Sequence, residues 1–222
     1  MEKNNKDIPV IYLDIDELDM KSGMDALSFV SSPATEITWT MFKNENIGND
    51  ILTKAVFEKD KNGDYKKMIT SPIMLAETEI LRFNPIIGHY YVKFTEDTIL
   101  KMMKKYFKEN KIHRINEQHD PTRAVDNVFM VESFIVGDNV KSELYPNIPK
   151  GSWVATFYVE DDQYWDDKVL NGEFTGFSLE GGFIEMWEKD LYDMIYSKIE
   201  EVLFSESTED QIIEELKNIL NL

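Results

Sequence analysis

Val128-Phe129-Met130-Val131-Glu132-Ser133-Phe134-Ile135-Val136 is almost wholly apolar and rich in β-branched and aromatic residues. A short run of that composition reads as a buried central strand. Similar runs follow at residues 152–159 and 173–186. Upstream, residues 8–15, 68–76 and 89–94 read as strands, and Ile37, Trp39 and Met41 alternate with Thr38 and Thr40 as a shorter one. One helix interrupts them. Thr95 supplies its N-cap, Glu96 and Asp97 its acidic first turn, and Ile99, Met102, Met103, Tyr106 and Phe107 recur at helical spacing over residues 95–109. Residues 43–50 read as a loop, and Asn62-Gly63-Asp64 as a turn after the strand-like Ala55-Val56-Phe57. The acidic residues 160–168 read as a short helix or turn. An amphipathic helix is expected from Trp187 to Phe204 and a last one over 209–221, capped at Ser207-Thr208. The fold class is α+β: mainly antiparallel strands in a small closed barrel or strongly curved sheet, flanked by helices, with a helical C-terminal end. The expected division is residues 1–187 as the main domain and 188–222 as an acidic helical extension.

Composition narrows the chemistry. The chain of 222 residues has no cysteine, which removes disulfides, thiol nucleophiles and zinc–thiolate sites. Its formal charge of −18 argues against direct duplex binding, which draws affinity from phosphate neutralisation. The polar start, Met1 to Asp7, lacks the apolar core of a signal peptide, and no apolar run reaches the length of a membrane span. A soluble protein without membrane contact is expected. From Glu185 onward the tail carries eleven acidic and three basic residues.

The residues able to carry chemistry are few. Gly176-Phe177-Ser178-Leu179-Glu180-Gly181-Gly182 sets a serine in a strand-like run that ends in two glycines. A nucleophilic serine needs a rigid element to aim its hydroxyl and nearby N–H groups to hold an oxyanion. Gly176 leaves room beside the serine, and Gly181 and Gly182 are candidate oxyanion donors; the bland alternative for the pair is a bulge or hairpin. Of the three histidines, His119 in Asn116-Glu117-Gln118-His119-Asp120-Pro121 is best placed as a general base. Glu132, the one charge in an apolar strand, is the candidate to orient the imidazole, unless it points outward or pairs with a base such as Arg123. Asp138, Asp120 and Glu180 compete for that role. A metal reading through His113 and His119 has no geometry-selecting spacing behind it, and no cofactor is expected.

The ordered set of segments resembles the phage prohead maturation proteases of the XkdF-like type. These are related to the wider prohead serine proteases and, in fold, to herpesvirus assembly proteases. The resemblance spans roughly residues 8 to 187. It rests on Ala26-Leu27-Ser28-Phe29-Val30-Ser31-Ser32-Pro33-Ala34, Arg82, the strand from Tyr90 to Phe94, the helix from Thr95, Asn116-Glu117-Gln118-His119, Val131 to Val136, Gly151-Ser152-Trp153-Val154 and Gly176 to Gly181. It implies a serine endopeptidase with Ser178 as nucleophile, His119 as base and Glu132 as third member. It also implies action on scaffold protein, on segments of the major capsid protein and on itself, inside a prohead assembling in the host cytoplasm. A homodimer stays open, as does a non-catalytic capsid-associated protein that keeps the protease fold.

Overall fold

The computed structural model describes residues 8–32, 61–62, 66–85, 88–137, 148–186, 189–205 and 207–220. The strand expected at 37–41, the loop at 43–50, Ala55-Val56-Phe57 and Asp138 lie outside them. In order, the elements are β1 (Val10–Asp14), β2 (Gly23–Val30), β3 (Met68–Met74), β4 (Ile80–Asn84), β5 (Gly88–Phe94), α1 (Glu96–Lys108), β6 (Ile115–Glu117), β7 (Asp120–Ala124), β8 (Val128–Ile135) and β9 (Trp153–Val159). There follow α2 (Asp162–Tyr164), running on as a π-helical turn (Trp165–Leu170), then β10 (Gly176–Gly182), β11 (Ile184–Met186), α3 (Lys189–Leu203) and α4 (Glu209–Leu220).

The fold is α+β and mostly antiparallel, as expected. The barrel detail is not: the described strands form three sheets, ordered β11-β1-β5-β4, β10-β2-β6-β7 and β3-β9-β8, and no closed barrel. Among the described strands Val128–Val136 also departs from its reading as a central strand: β8 lies at the end of its sheet, with Val131 and Glu132 exposed, and the centre of that sheet is β9, nearly all of which is buried. Hydrophobicity marks both strands as buried on at least one face, but the edge position is set by pairing, which composition does not encode.

Contacts divide the chain into two compact units. One comprises Met1–Leu13, Glu79–Lys93 and Glu185–Leu222; the other comprises Asp14–Thr78 and Phe94–Ile184. Within the first, Asn84 Nδ2 donates to the Ile219 carbonyl at 3.3 Å. The run read as a single strand over 173–186 breaks at Phe183, and its two parts, β10 and β11, enter different sheets.

In the second unit α1 is the organising helix. Thr95 Oγ1 accepts from the Thr98 amide at 3.1 Å, the expected cap. Asn110, with φ of 54°, ends the helix in the left-handed region. The Lys111 amide then donates back to Tyr106 O and the Asn110 amide to Phe107 O, closing the last turn. The buried face carries Ile99, Met102 and Tyr106, and the Tyr106 ring meets Trp153 at 5.7 Å. Lysines fix the far end. Lys105 Nζ donates to the carbonyls of Glu17 and Asp19, at 3.1 and 3.0 Å. Lys111 Nζ donates to Met24 O and to Asp25 at the start of β2. Both reach Glu109, at 2.7 and 2.8 Å.

The hydrogen bond from Lys105, followed by that from Lys111, holds the Glu109 carboxyl below its ordinary value of 4.5. A carboxylate with a depressed folded pKa stabilises the fold above its unfolded pKa, and that contribution is lost as pH falls through the folded value. Urea unfolding between pH 7 and pH 3 therefore shows a larger loss of stability for wild type than for Glu109→Gln. Equal losses contradict the bridge.

Candidate active site

Ser178 is the third of the seven residues of β10. The two-residue period of a strand puts Gly176, Ser178 and Glu180 on one face and Phe177 and Leu179 on the other. The Phe177 ring packs against Phe29 at 5.1 Å and Phe157 at 4.7 Å, and Phe29 also meets Phe174 at 5.9 Å. This aromatic layer fixes which face of β10 is core, so the serine is turned away from it. Across the antiparallel ladder Ser178 is opposite Ser28, and across the parallel ladder Ser28 is opposite Asn116. A polar row, Ser178–Ser28–Asn116, thus runs over three strands.

His119 arrives from the tip of the β6–β7 hairpin. Glu117 pairs with Asp120, leaving Gln118 and His119 as a two-residue loop with φ of 54° and 59°. Two successive positive φ values are the requirement of a type I′ turn, which usually recruits Asn-Gly. Gln and His tolerate that region poorly, at roughly 1–2 kcal/mol each. Hydrogen bonds to β2 hold the turn in place. The Gln118 amide donates to Phe29 O at 2.9 Å, the His119 amide donates to Ser28 Oγ at 2.7 Å, and Gln118 Nε2 reaches Ser31 Oγ at 3.1 Å. Ser28 is fully buried, so its hydroxyl is a fixed acceptor.

The imidazole is directed by a carboxylate of β10. His119 Nδ1 lies 3.3 Å from Glu180 Oε1, with the two side chains 45% and 26% exposed. Asn116 Nδ2 donates to the same oxygen at 2.7 Å. With Nδ1 turned to Glu180, Nε2 is the nitrogen left to serve a serine. Ser178 and His119 form no direct hydrogen bond among the described residues. Such pairs are often long in unliganded enzymes and tighten with substrate.

The other face of the hairpin is anchored by charge. Glu117 is buried and pairs with Arg123 of β7. Burial first, then the Glu117 charge, pushes the pKa of the Tyr164 hydroxyl well above the usual tyrosine range.

Glu132 stands exposed on β8, where its Oε2 accepts from Thr156 Oγ1 at 3.3 Å. The carboxylate beside the histidine is Glu180. Asp120 is occupied locally by the amide and hydroxyl of Thr122. Gly176 is buried on the Ser178 face of β10. Gly181 and Gly182 serve closure of the ladder. A β-bulge falls between Glu180 and Gly181, and a Cβ on Gly181 would stand 2.1 Å from Gly23 O, one on Gly182 2.5 Å from Lys21 O. At about 3.3 Å per residue they also lie roughly 10 Å or more along the strand from Ser178, too far to hold an oxyanion formed there. Ser28 and Asn116 were not singled out for a role by sequence, although the i, i+2 relation of Ser178 and Glu180 was there to be used.

A strand-mounted serine, an imidazole and a carboxylate aimed at that imidazole are the parts from which serine hydrolases are built. Residues 87–188 match the family described as "Putative phage serine protease XkdF", a stretch that includes His119, Ser178 and Glu180. No curated protein and no solved structure matches the chain. Over residues 87–188 the chain is similar to a family of phage serine proteases.

Two substitutions test this geometry. Ser28→Ala leaves the His119 amide without its acceptor and costs about 1–3 kcal/mol in urea unfolding; an unchanged midpoint means that the bond does not hold the turn. Gly181→Ala costs about 1–3 kcal/mol from the clash with Gly23 O, whereas Ser178→Ala, at a half-buried position, leaves the midpoint near wild type.

Proposed function

We propose that the protein is a serine endopeptidase of phage head maturation. The observation that carries this reading is the convergence of His119 Nδ1 on Glu180 Oε1, two residues along the same strand face from Ser178. In the reaction, Ser178 Oγ attacks the peptide carbonyl while His119 Nε2 accepts its proton. Glu180 holds the ring and offsets the charge that develops on it. His119 then gives the proton to the leaving amine, and water releases the acyl group by the reverse sequence. Neither the chain's sequence nor this chemistry calls for a cofactor.

On the resemblance to phage prohead proteases, its substrates are scaffold protein and segments of the major capsid protein, with the chain itself as a further one, inside a prohead in the host cytoplasm. The acidic tail suits docking to basic partners within that shell. The absence of a direct Ser178–His119 hydrogen bond among the described residues keeps one other reading in play: a capsid-associated protein that retains the fold without activity.

Co-expression with capsid and scaffold proteins, followed by intact mass, tests both. Wild type trims its partners, Ser178→Ala and His119→Ala do not, and Glu180→Gln slows trimming by roughly 10²- to 10⁴-fold. Glu132→Gln trims at the wild-type rate. Trimming by Ser178→Ala refutes the serine mechanism, and a wild type that trims nothing assigns the protein to the non-catalytic role.

A further inference from the structure

We infer that Asn116 is a positioning residue of this site, acting through Glu180; the inference rests on the serine-protease reading above. Asn116 sits on β6 between β2 and β7 and is only 5% exposed. Its Nδ2 donates to Glu180 Oε1 at 2.7 Å, and the same oxygen faces His119 Nδ1 at 3.3 Å. A short N–H bond to a carboxylate removes rotamer freedom from a side chain that otherwise reaches water. Glu180 is the member that needs this. It is mounted on the last regular residue before the β-bulge, and its side chain is a quarter exposed.

The other end of the amide shows what holds its orientation. Asn116 Oδ1 is buried and has no hydrogen-bond partner among the described residues. Turning the amide over would place that oxygen against the Glu180 carboxylate, acceptor against acceptor. The amide therefore keeps a buried acceptor unsatisfied in order to present its N–H groups to Glu180. An unmade buried hydrogen bond lowers stability, and such residues are kept where they serve a site. A residue present for packing alone would be expected to behave oppositely, since an apolar side chain of the same size fills the position without the orphaned oxygen.

The consequence is measurable without a known cleavage sequence. A fluorophosphonate probe reacts with an activated serine: Oγ bonds to phosphorus, fluoride departs, and the hydroxyl proton passes to the base. Saturation kinetics, with intact mass and peptide mapping at Ser178, give a maximal labelling rate and a probe affinity. Asn116→Leu and the isosteric Asn116→Asp, which loses the N–H donors, lower the maximal rate by roughly 10- to 100-fold. Probe affinity stays within about twofold, because the probe does not touch Asn116. The thermal midpoint of Asn116→Leu equals or exceeds that of wild type. In a Glu180→Gln background neither substitution slows labelling further.

Wild-type labelling rates in both variants, or full additivity with Glu180→Gln, overturn the positioning role while the serine mechanism stands. Failure of the probe to label Ser178 in wild type overturns the mechanism itself. If Asn116→Leu does not fold, Asn116→Asp carries the comparison alone.

Discussion

The hydrogen bond from the His119 amide to the Ser28 hydroxyl, at 2.7 Å, joins the two halves of the site. Ser28 is opposite Ser178 on one side and Asn116 on the other. The strand that aligns the nucleophile therefore also holds the turn that carries the base. Without that bond the Gln118-His119 turn would keep its unfavourable backbone and lose one of the contacts that offset it. The aromatic layer of Phe29, Phe157, Phe174 and Phe177 acts on the same strands from behind, and it determines which way Ser178 faces.

The site's electrostatics are local. The chain carries a formal charge of −18, yet the carboxylates that matter are each engaged by a specific donor: Glu180 by Asn116, Glu117 by Arg123, Glu109 by two lysines. A buried or half-buried carboxylate without such partners would take up a proton or turn to water. Lys105 and Lys111 carry the same logic into the scaffold, binding the end of α1 to the segment that enters β2. Serine hydrolases need a carboxylate that is held still, and an amide at 2.7 Å supplies that condition at Glu180.

Much of this was legible in the sequence, for reasons that differ by residue. Thr95 and the 3.6-residue spacing behind it located α1 because capping and amphipathicity are local. The α+β class followed from short β-prone runs around that helix. The edge position of β8 and the absence of a closed barrel among the described strands were not legible, since pairing is decided between distant segments. Ser178 and His119 stood out as residue types in suitable settings. Glu132 was preferred as orienter because a charge within an apolar run looks buried, whereas β8 turns it outward. Glu180 was within reach of the two-residue period alone. The hairpin tip was hidden because Gln-His replaces the Asn-Gly that announces a type I′ turn. A local rule broken at a functional turn is where sequence reasoning is expected to fail.

The central claim, that Glu180 holds the His119 ring by Nδ1 so that Nε2 serves Ser178, is tested most directly by the ring nitrogens themselves. With ¹⁵N-labelled histidine, spectra recorded at alkaline pH, where the ring is neutral, distinguish a protonated from a bare nitrogen. The account predicts that the proton resides on Nδ1 of His119, and that this tautomer is lost in Glu180→Gln but kept in Glu132→Gln. A proton on Nε2 in the wild type, or a tautomer indifferent to Glu180, would contradict it.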